Sequence, residues 1–189
     1  MKAARAVWFE ALAHVPLSDL VFIDEFGATS NMTRLYARGP KGRRIVCRTP
    51  HGHWKVLSTI AALNAQGILT AATFETAVDE EIFVAFVRQC LVPNLRPGQW
   101  VILDNLPAHK SPRVDALIEA AGAHVVRLPP YSPDFNPIEQ AISKVKTLLR
   151  KRGARSITAL FFAIGEALDS ITAHDAAAYI KKAGYAATA

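Results

Sequence analysis

Apolar positions along the chain follow two different periods, and the changes of period mark out its elements. Over residues 1–19, Val7, Trp8, Leu12 and Val15 recur at helical spacing until Pro16, which predicts a lead-in helix or linker ending there. Leu20, Val21, Phe22 and Ile23 form a continuous apolar, β-rich run that ends in Asp24 and Glu25, as expected of a central strand buried on both faces. Residues 45–46, 55–63 and 68–74 read as further strands, the last two joined through 64–67 as an antiparallel hairpin. Asp79 is placed to cap a helix carrying Ile82, Phe83, Phe86, Val87 and Leu91, closed by Pro93. The next buried strand, 100–103, also runs into an aspartate, Asp104. Pro112 and Gly122 bracket a helix with the stripe Val114, Leu117 and Ile118, and a strand at 124–128 follows. Four prolines in PPYSPDFNP (129–137) force an extended loop, from which Asn136 is placed to cap a helix reaching about 152. Helices at about 157–171 and 175–183 complete the pattern, and 186–189 are expected to fray.

A meander followed by alternating helices and strands predicts an α/β domain over 20–185. Its mixed five-stranded sheet would carry helices on both faces and extra helices at the C-terminus. A length of 189 residues, with 51% hydrophobic and 20% charged, suits one globular domain and not a disordered or fibrous chain. Cys47 and Cys90 belong to no CxxC pair and read as ordinary thiols of a reducing compartment. No apolar run reaches the roughly 18 residues that span a bilayer, and the first twenty residues lack the pattern of a signal peptide, so a cytoplasmic location is expected.

Charge changes this picture because it is clustered. The net charge is +6, yet Arg34, Arg38, Lys41, Arg43, Arg44, Arg48 and Lys55 follow one another without an acid, as do Lys144, Lys146, Arg150, Lys151, Arg152 and Arg155. The bland account is two solvated faces. A polyanion contacting both runs would release counterions, which makes nucleic acid the natural partner, with Arg43, Arg44, Lys55, Lys146, Arg150 and Lys151 as candidate contacts.

The acids supply candidate chemistry. Ligands of open α/β sheets bind at strand C-termini, where Asp24 and Asp104 stand, although acids also simply end strands and begin turns. Glu139 has two accounts. In Asn136-Pro137-Ile138-Glu139 it fits the third position of a capping box. On the helical wheel it lies roughly 90° from the apolar stripe of Ile138, Ile142, Val145 and Leu149, on a face shared with Lys146 and Arg150. Three carboxylates converging from two strand ends and a helix start suit Mg²⁺, and a two-ion site of this kind activates an attacking oxygen and stabilises the leaving oxygen of a phosphodiester.

Longer motifs then point to a family. FIDEFGATSNM (22–32), PHGHWK (50–55), LVPNLRPG (91–98), ILDNLPAHKS (102–111), LPPYSPDFNPIEQ (128–140), the following LLRKR and the late AGY resemble the catalytic domain of DDE transposases of the mariner superfamily, in particular its bacterial insertion-sequence branch. The resemblance spans about residues 20–185, and the 34 residues between Asp104 and Glu139 match the family's spacing. It implies a ribonuclease-H-like fold and a Mg²⁺-dependent nuclease and strand transferase, with Mn²⁺ as a substitute. The implied reaction is hydrolysis at transposon ends, followed by attack of the freed 3′-hydroxyl on target DNA at a TA dinucleotide. Asp24, Asp104 and Glu139 would be the catalytic and metal-binding carboxylates. Asn105, His109 and Lys110 match DNxxxHK and would support the site or touch DNA. Glu25 completes the family's DE pair, but strand alternation turns it away from Asp24, so a secondary role is expected. His51 and His53 have HxH spacing without further ligands, and backbone or DNA contacts are expected of them.

The resemblance also implies helix-turn-helix modules that precede the catalytic strand in the family and are not matched here. A separate DNA-binding polypeptide or upstream reading frame, and a homodimer on paired ends, are therefore expected. Ala141 stands where the family commonly carries a bulky side chain, a departure expected to loosen local packing. An inactive DNA-binding or dimerisation fragment, or another ribonuclease-H-like nuclease, are the alternative functions; the three intact acids oppose the first, and the proline-rich loop opposes both.

Overall fold

The computed structural model describes residues 2–46, 50 and 52–185, without the side chains of 2–6 and 108. Five strands form one sheet in the order β3-β2-β1-β4-β5, with β1 at Leu20–Thr29, β2 at Val56–Asn64, β3 at Gly67–Phe74, β4 at Trp100–Leu103 and β5 at His124–Arg127. β1 pairs antiparallel with β2, placing Asp24 opposite Ala61, and β2 pairs antiparallel with β3. β4 runs parallel to both β1 and β5. The mixed ribonuclease-H-like sheet expected from the sequence is therefore present. The pairing of β1 with β4 ends at Phe22 and Ile102, whereas β1 continues to Thr29. A crevice opens where β1 outruns its neighbour, and Asp24 and Asp104 stand at its edge.

Helices cover both faces because alternate residues of β1 are apolar on both. Phe22, Phe26 and Ala28 join one buried cluster with α1 (Lys2–Leu12), α4 (Ile138–Arg152), α5 (Ile157–Asp169) and α6 (Ala173–Lys182). Val21 and Ile23 join the other, with α2 (Glu80–Phe86) and α3 (Pro112–Ala120). The four-residue run 20–23 is almost wholly inaccessible to solvent, which accounts for its unbroken hydrophobicity.

Local signals explain most boundaries. Asp79 caps α2 by accepting from the Ile82 amide at 2.9 Å, and the Ser111 hydroxyl caps α3. Gly153 ends α4 at φ +64°, a left-handed cap that glycine adopts without cost. Gly67 closes the β2–β3 hairpin at φ +124°, and a Cβ there would meet the Ile171 carbonyl oxygen at 2.8 Å. Thr172 and Asp175 form a capping box at the start of α6.

Three expectations need correction. Residues 45–46 form no strand: Ile45 and Val46 are exposed beside Arg43 and Arg44. The helix begun at Asp79 widens into a π turn at Val87–Leu91 and tightens into a 3-10 turn at Val92–Asn94, so Pro93 sits inside the terminal turn instead of closing a regular helix. Asn136 does not cap α4, whose N-terminus at Pro137 has no side-chain cap. Ala141 is buried in the apolar stripe of α4, within the main core. The 186–189 tail, Cys47, Arg48 and His51 lie outside the described residues.

Candidate active site

The 3-10 turn Pro133–Phe135 and the first turn of α4 are pinned from behind. The Tyr185 hydroxyl donates to the Phe135 carbonyl at 2.9 Å and accepts from Trp8 Nε1 at 3.1 Å, while Phe9 meets the Phe135 ring edge-on. The extended proline-rich loop is thus fixed at the crevice. There Asp24, Asp104 and Glu139 line one pocket of about 290 Å³ with Asn105, Tyr131 and Asn136. The structure brings together the three acids singled out in the sequence.

Their surroundings differ. Asp24 is 9% exposed, and its carboxyl is pushed up to about 7, first by burial and then by the charges of Glu139 and Asp104, against the Glu25 amide that donates to it at 2.7 Å. Asn136 Nδ2 reaches Asp24 Oδ2 at 3.5 Å and the Ile23 carbonyl at 3.4 Å. This cross-strand tether explains why Asn136 leaves the helix cap unfilled. Burial raises the Asp104 carboxyl as well, but the bonds it accepts from His109 and the Leu106 amide, with the nearby Lys110 charge, outweigh that and hold it below the usual range. Glu139 is exposed on the first turn of α4. Its side chain makes no capping box, so the pocket is the setting the structure gives it.

Among the described residues, no three His, Cys, Asp or Glu side chains are gathered closely enough to hold a metal as they stand. The donor set nevertheless fits a hard cation. A carboxyl pushed up first by burial and then by the charges of Glu139 and Asp104 is the electrostatic deficit that Mg²⁺ or Mn²⁺ coordination relieves.

The other expected residues divide into two groups. Asn105 Nδ2 donates to the Leu128 carbonyl at 2.6 Å and ties the end of β4 to the loop after β5. His109 is fully buried, its ring 4.2 Å from that of Phe83, and its Nδ1 lies 2.5 Å from Asp104 Oδ1. Of the two roles expected for it, support of Asp104 is what the geometry offers; a contact with DNA is not. Lys110 is exposed beside Asp104. Arg43, Arg44 and Lys55 are exposed on the long β1–β2 connection, and Lys146 and Arg150 are half-buried on α4. Lys151 lines a separate groove with Arg34, Arg152 and Glu166, about 18 Å along α4 from Glu139 at the helical rise. These cations are not gathered at the carboxylates.

Two supports went unrecognised in the sequence. Arg127 Nη2 donates to the His109 carbonyl at 2.9 Å and to Asp115 at 2.6 Å, and the Ser111 hydroxyl donates to Glu80 at 2.6 Å. Arg127 ends a strand and Glu80 begins a helix, so neither position carries a local signal of its partner.

A ribonuclease-H-like sheet with acids at the ends of β1 and β4 and at the start of α4 defines a class of nucleic-acid-processing domains. Residues 19–160 match the family model of the DDE superfamily endonuclease, and the chain belongs to that family. Among solved structures it is similar to the Mos1 transposase paired-end complex with left transposon end, at 15% identity and TM-score 0.80, covering 96% of this chain and 57% of that one. It is similar also to the catalytic domain of Mos1 mariner transposase, at 14% identity and TM-score 0.68, covering 96% and 85%. The Mos1 mariner paired end complex with Mn matches at 16% identity and TM-score 0.70, covering 96% and 57%. The chain thus spans little more than half of the Mos1 chains in the paired-end complexes. No curated protein matches it by sequence.

Proposed function

We propose that this chain is the catalytic domain of a transposase, cutting a phosphodiester at a transposon end and joining the freed 3′-hydroxyl to target DNA. The observation that carries the reading is the meeting of Asp24, Asp104 and Glu139 in one pocket, with Asp24 destabilised as an anion until a cation arrives. Family membership and the likeness to Mos1 complexes with transposon ends support it. When bound, two divalent cations, Mg²⁺ or Mn²⁺, activate the attacking oxygen and neutralise the leaving one.

The chain's own residues do the rest. Asp24, Asp104 and Glu139 would hold the ions, and Asn136, from the pocket wall, donates to Asp24 Oδ2 and orients it. His109 and the Leu106 amide hold Asp104 ionised and oriented. Lys110 stands where it meets the phosphate beside Asp104, and Arg43, Arg44, Lys55, Lys146, Arg150 and Lys151 provide cations for the flanking backbone. The motif run from Leu128 to Gln140 supports the bacterial insertion-sequence branch. Recognition of terminal repeats is assigned to helix-turn-helix segments outside these 189 residues, on the same or another polypeptide, and paired ends call for two copies acting on DNA in the cytoplasm.

The test is cleavage and strand transfer on a pre-nicked duplex with Mg²⁺ or Mn²⁺, comparing the parent with Asp104→Asn. Metal-dependent joining lost in the variant supports the reading. Nicking without joining would favour a different ribonuclease-H-like nuclease, and no response to metal in activity or thermal stability would overturn the three-carboxylate site.

A further inference from the structure

Neighbouring residues of a strand point to opposite faces, so Glu25 leaves the pocket that Asp24 enters. Its β2 partner is Ile60, a member of the cluster under α2 and α3, and the same cluster contains Phe83, over which the His109 ring is packed. Two polar atoms are buried there without a hydrogen-bond partner: Glu25 Oε2 and His109 Nε2. The Glu25 carboxyl is raised by burial, and the His109 ring is the strongest influence opposing that rise. An unpaired buried polar atom gives up its hydration without return, so two such atoms of complementary chemistry in one neighbourhood call for an explanation.

The other ring nitrogen supplies it. A carboxylate can only accept, so His109 Nδ1 carries the proton it shares with Asp104. Nε2 is then the ring nitrogen left to accept, buried and without a partner.

We propose that Glu25 is a positioning residue that acts through His109 on Asp104. One proton shared between Glu25 Oε2 and His109 Nε2 satisfies both orphaned atoms and locks the ring in the orientation in which Nδ1 donates to Asp104. The result is a carboxylate–histidine–carboxylate chain running from the closed face of the sheet to the open pocket. Phe83 supports the ring from below, and Arg127 holds its backbone carbonyl. Outer partners of this kind tune metal affinity by about 10–100-fold. That consequence rests on the three-carboxylate reading given above, whereas the contact itself does not.

Two measurements test it. In the metal-free protein, the ¹⁵N resonances of the His109 ring report the bonding of each nitrogen. The parent is expected to show Nδ1 protonated and Nε2 hydrogen-bonded, and Glu25→Ala to shift Nε2. The Mn²⁺ affinity of the same proteins, read from the paramagnetic resonance of the free ion, is expected to fall about tenfold in Glu25→Ala. It should be largely retained in Glu25→Gln, whose amide still bonds Nε2. Alanine and glutamine remove the same charge, so equal losses in both would overturn positioning in favour of a field effect. A parent whose Nε2 is free of hydrogen bonding overturns the proposal without any variant, even if Glu25→Ala does not fold. An unchanged ring in a folded Glu25→Ala overturns it as well. A parent with the expected ring signals but no Mn²⁺ binding removes the metal reading, and the metal-tuning role of Glu25 falls with it.

Discussion

The two faces of the sheet meet the end of β1 in different ways. On the α4 face, Asp24 enters an open pocket with two further acids, and its carboxyl is pushed up by burial and by their charges. On the α2–α3 face, one residue along, Glu25 is half-buried, and its Oε2, like His109 Nε2, has no hydrogen-bond partner. One face keeps an electrostatic deficit that a cation relieves, while the other keeps two buried polar atoms that the proposed Glu25–His109 bond would satisfy. The difference separates residues that would meet the substrate from residues that hold those in place. It follows from strand alternation acting on two consecutive acids.

The strongest way to break the comparison is to remove an acid on the open face. Glu139→Gln is expected to bring metal-dependent nicking of a pre-nicked duplex below detection while leaving the melting temperature of the metal-free protein within a few degrees, since Glu139 is exposed. A variant that nicks like the parent would remove Glu139 from the site.

Next in size is the pH response of Asp24. Its carboxyl ionises at about 7 in the folded protein against an ordinary value of 3.8, so between these values the folded state keeps a proton that the unfolded chain has lost. Stability from this group is complete below the unfolded value and is lost as pH rises through the folded one, a loss of roughly 4 kcal/mol for a gap from 3.8 to about 7. Urea melts of the metal-free parent should therefore weaken relative to Asp24→Asn between pH 5 and 8. A constant difference between the two proteins would contradict the buried, uncompensated carboxylate.

A matched pair of core truncations sharpens the contrast. Phe83→Ala and Leu149→Ala each remove a side chain at most 1% exposed, and each is expected to cost about 3 kcal/mol in denaturant melts. Only Phe83→Ala takes the floor from under the His109 ring, so only it should also weaken Mn²⁺ binding. The smallest effect belongs to the exposed cations. Arg43→Ala with Arg44→Ala should leave stability unchanged and reduce the salt slope of duplex binding by about 2, the value for two lost phosphate contacts.

Much of this arrangement was legible along the chain because it is written in short-range pattern. Two unbroken apolar runs, each ending in an aspartate, identified the buried parallel strands β1 and β4 and put both acids at the crevice. Apolar spacing and proline placement located α3 and α4. The signal failed where one local pattern serves two ends. Asn-Pro-Ile-Glu reads equally well as a helix cap and as a tether to β1, and the choice belongs to Ile23 and Asp24, more than a hundred residues away. Likewise nothing near His109 announces its burial, which depends on Phe83 arriving from α2. The expected strand at 45–46 failed for the opposite reason, since two β-branched residues between arginines offer no face to bury. The π turn at 87–91 arises because Phe86, Val87 and Leu91 are all drawn to one core, and tertiary packing there overrides the regular period.

The long connection between β1 and β2 begins and ends at a single point. The Ser30 amide donates to the Lys55 carbonyl at 3.0 Å and the Lys55 amide to the Ser30 hydroxyl at 3.1 Å, one rung beyond the last strand pair of Thr29 and Val56. Arg155 adds bonds to the Ser30 and Met32 carbonyls from the α4–α5 junction. The hairpin ladder therefore fixes both ends of the connection irrespective of what lies between them, and doubling a flexible loop adds only about 0.6 kcal/mol of closure entropy. In engineering terms the segment is a cassette: its length and charge can be exchanged while the carboxylate pocket keeps an unaltered scaffold.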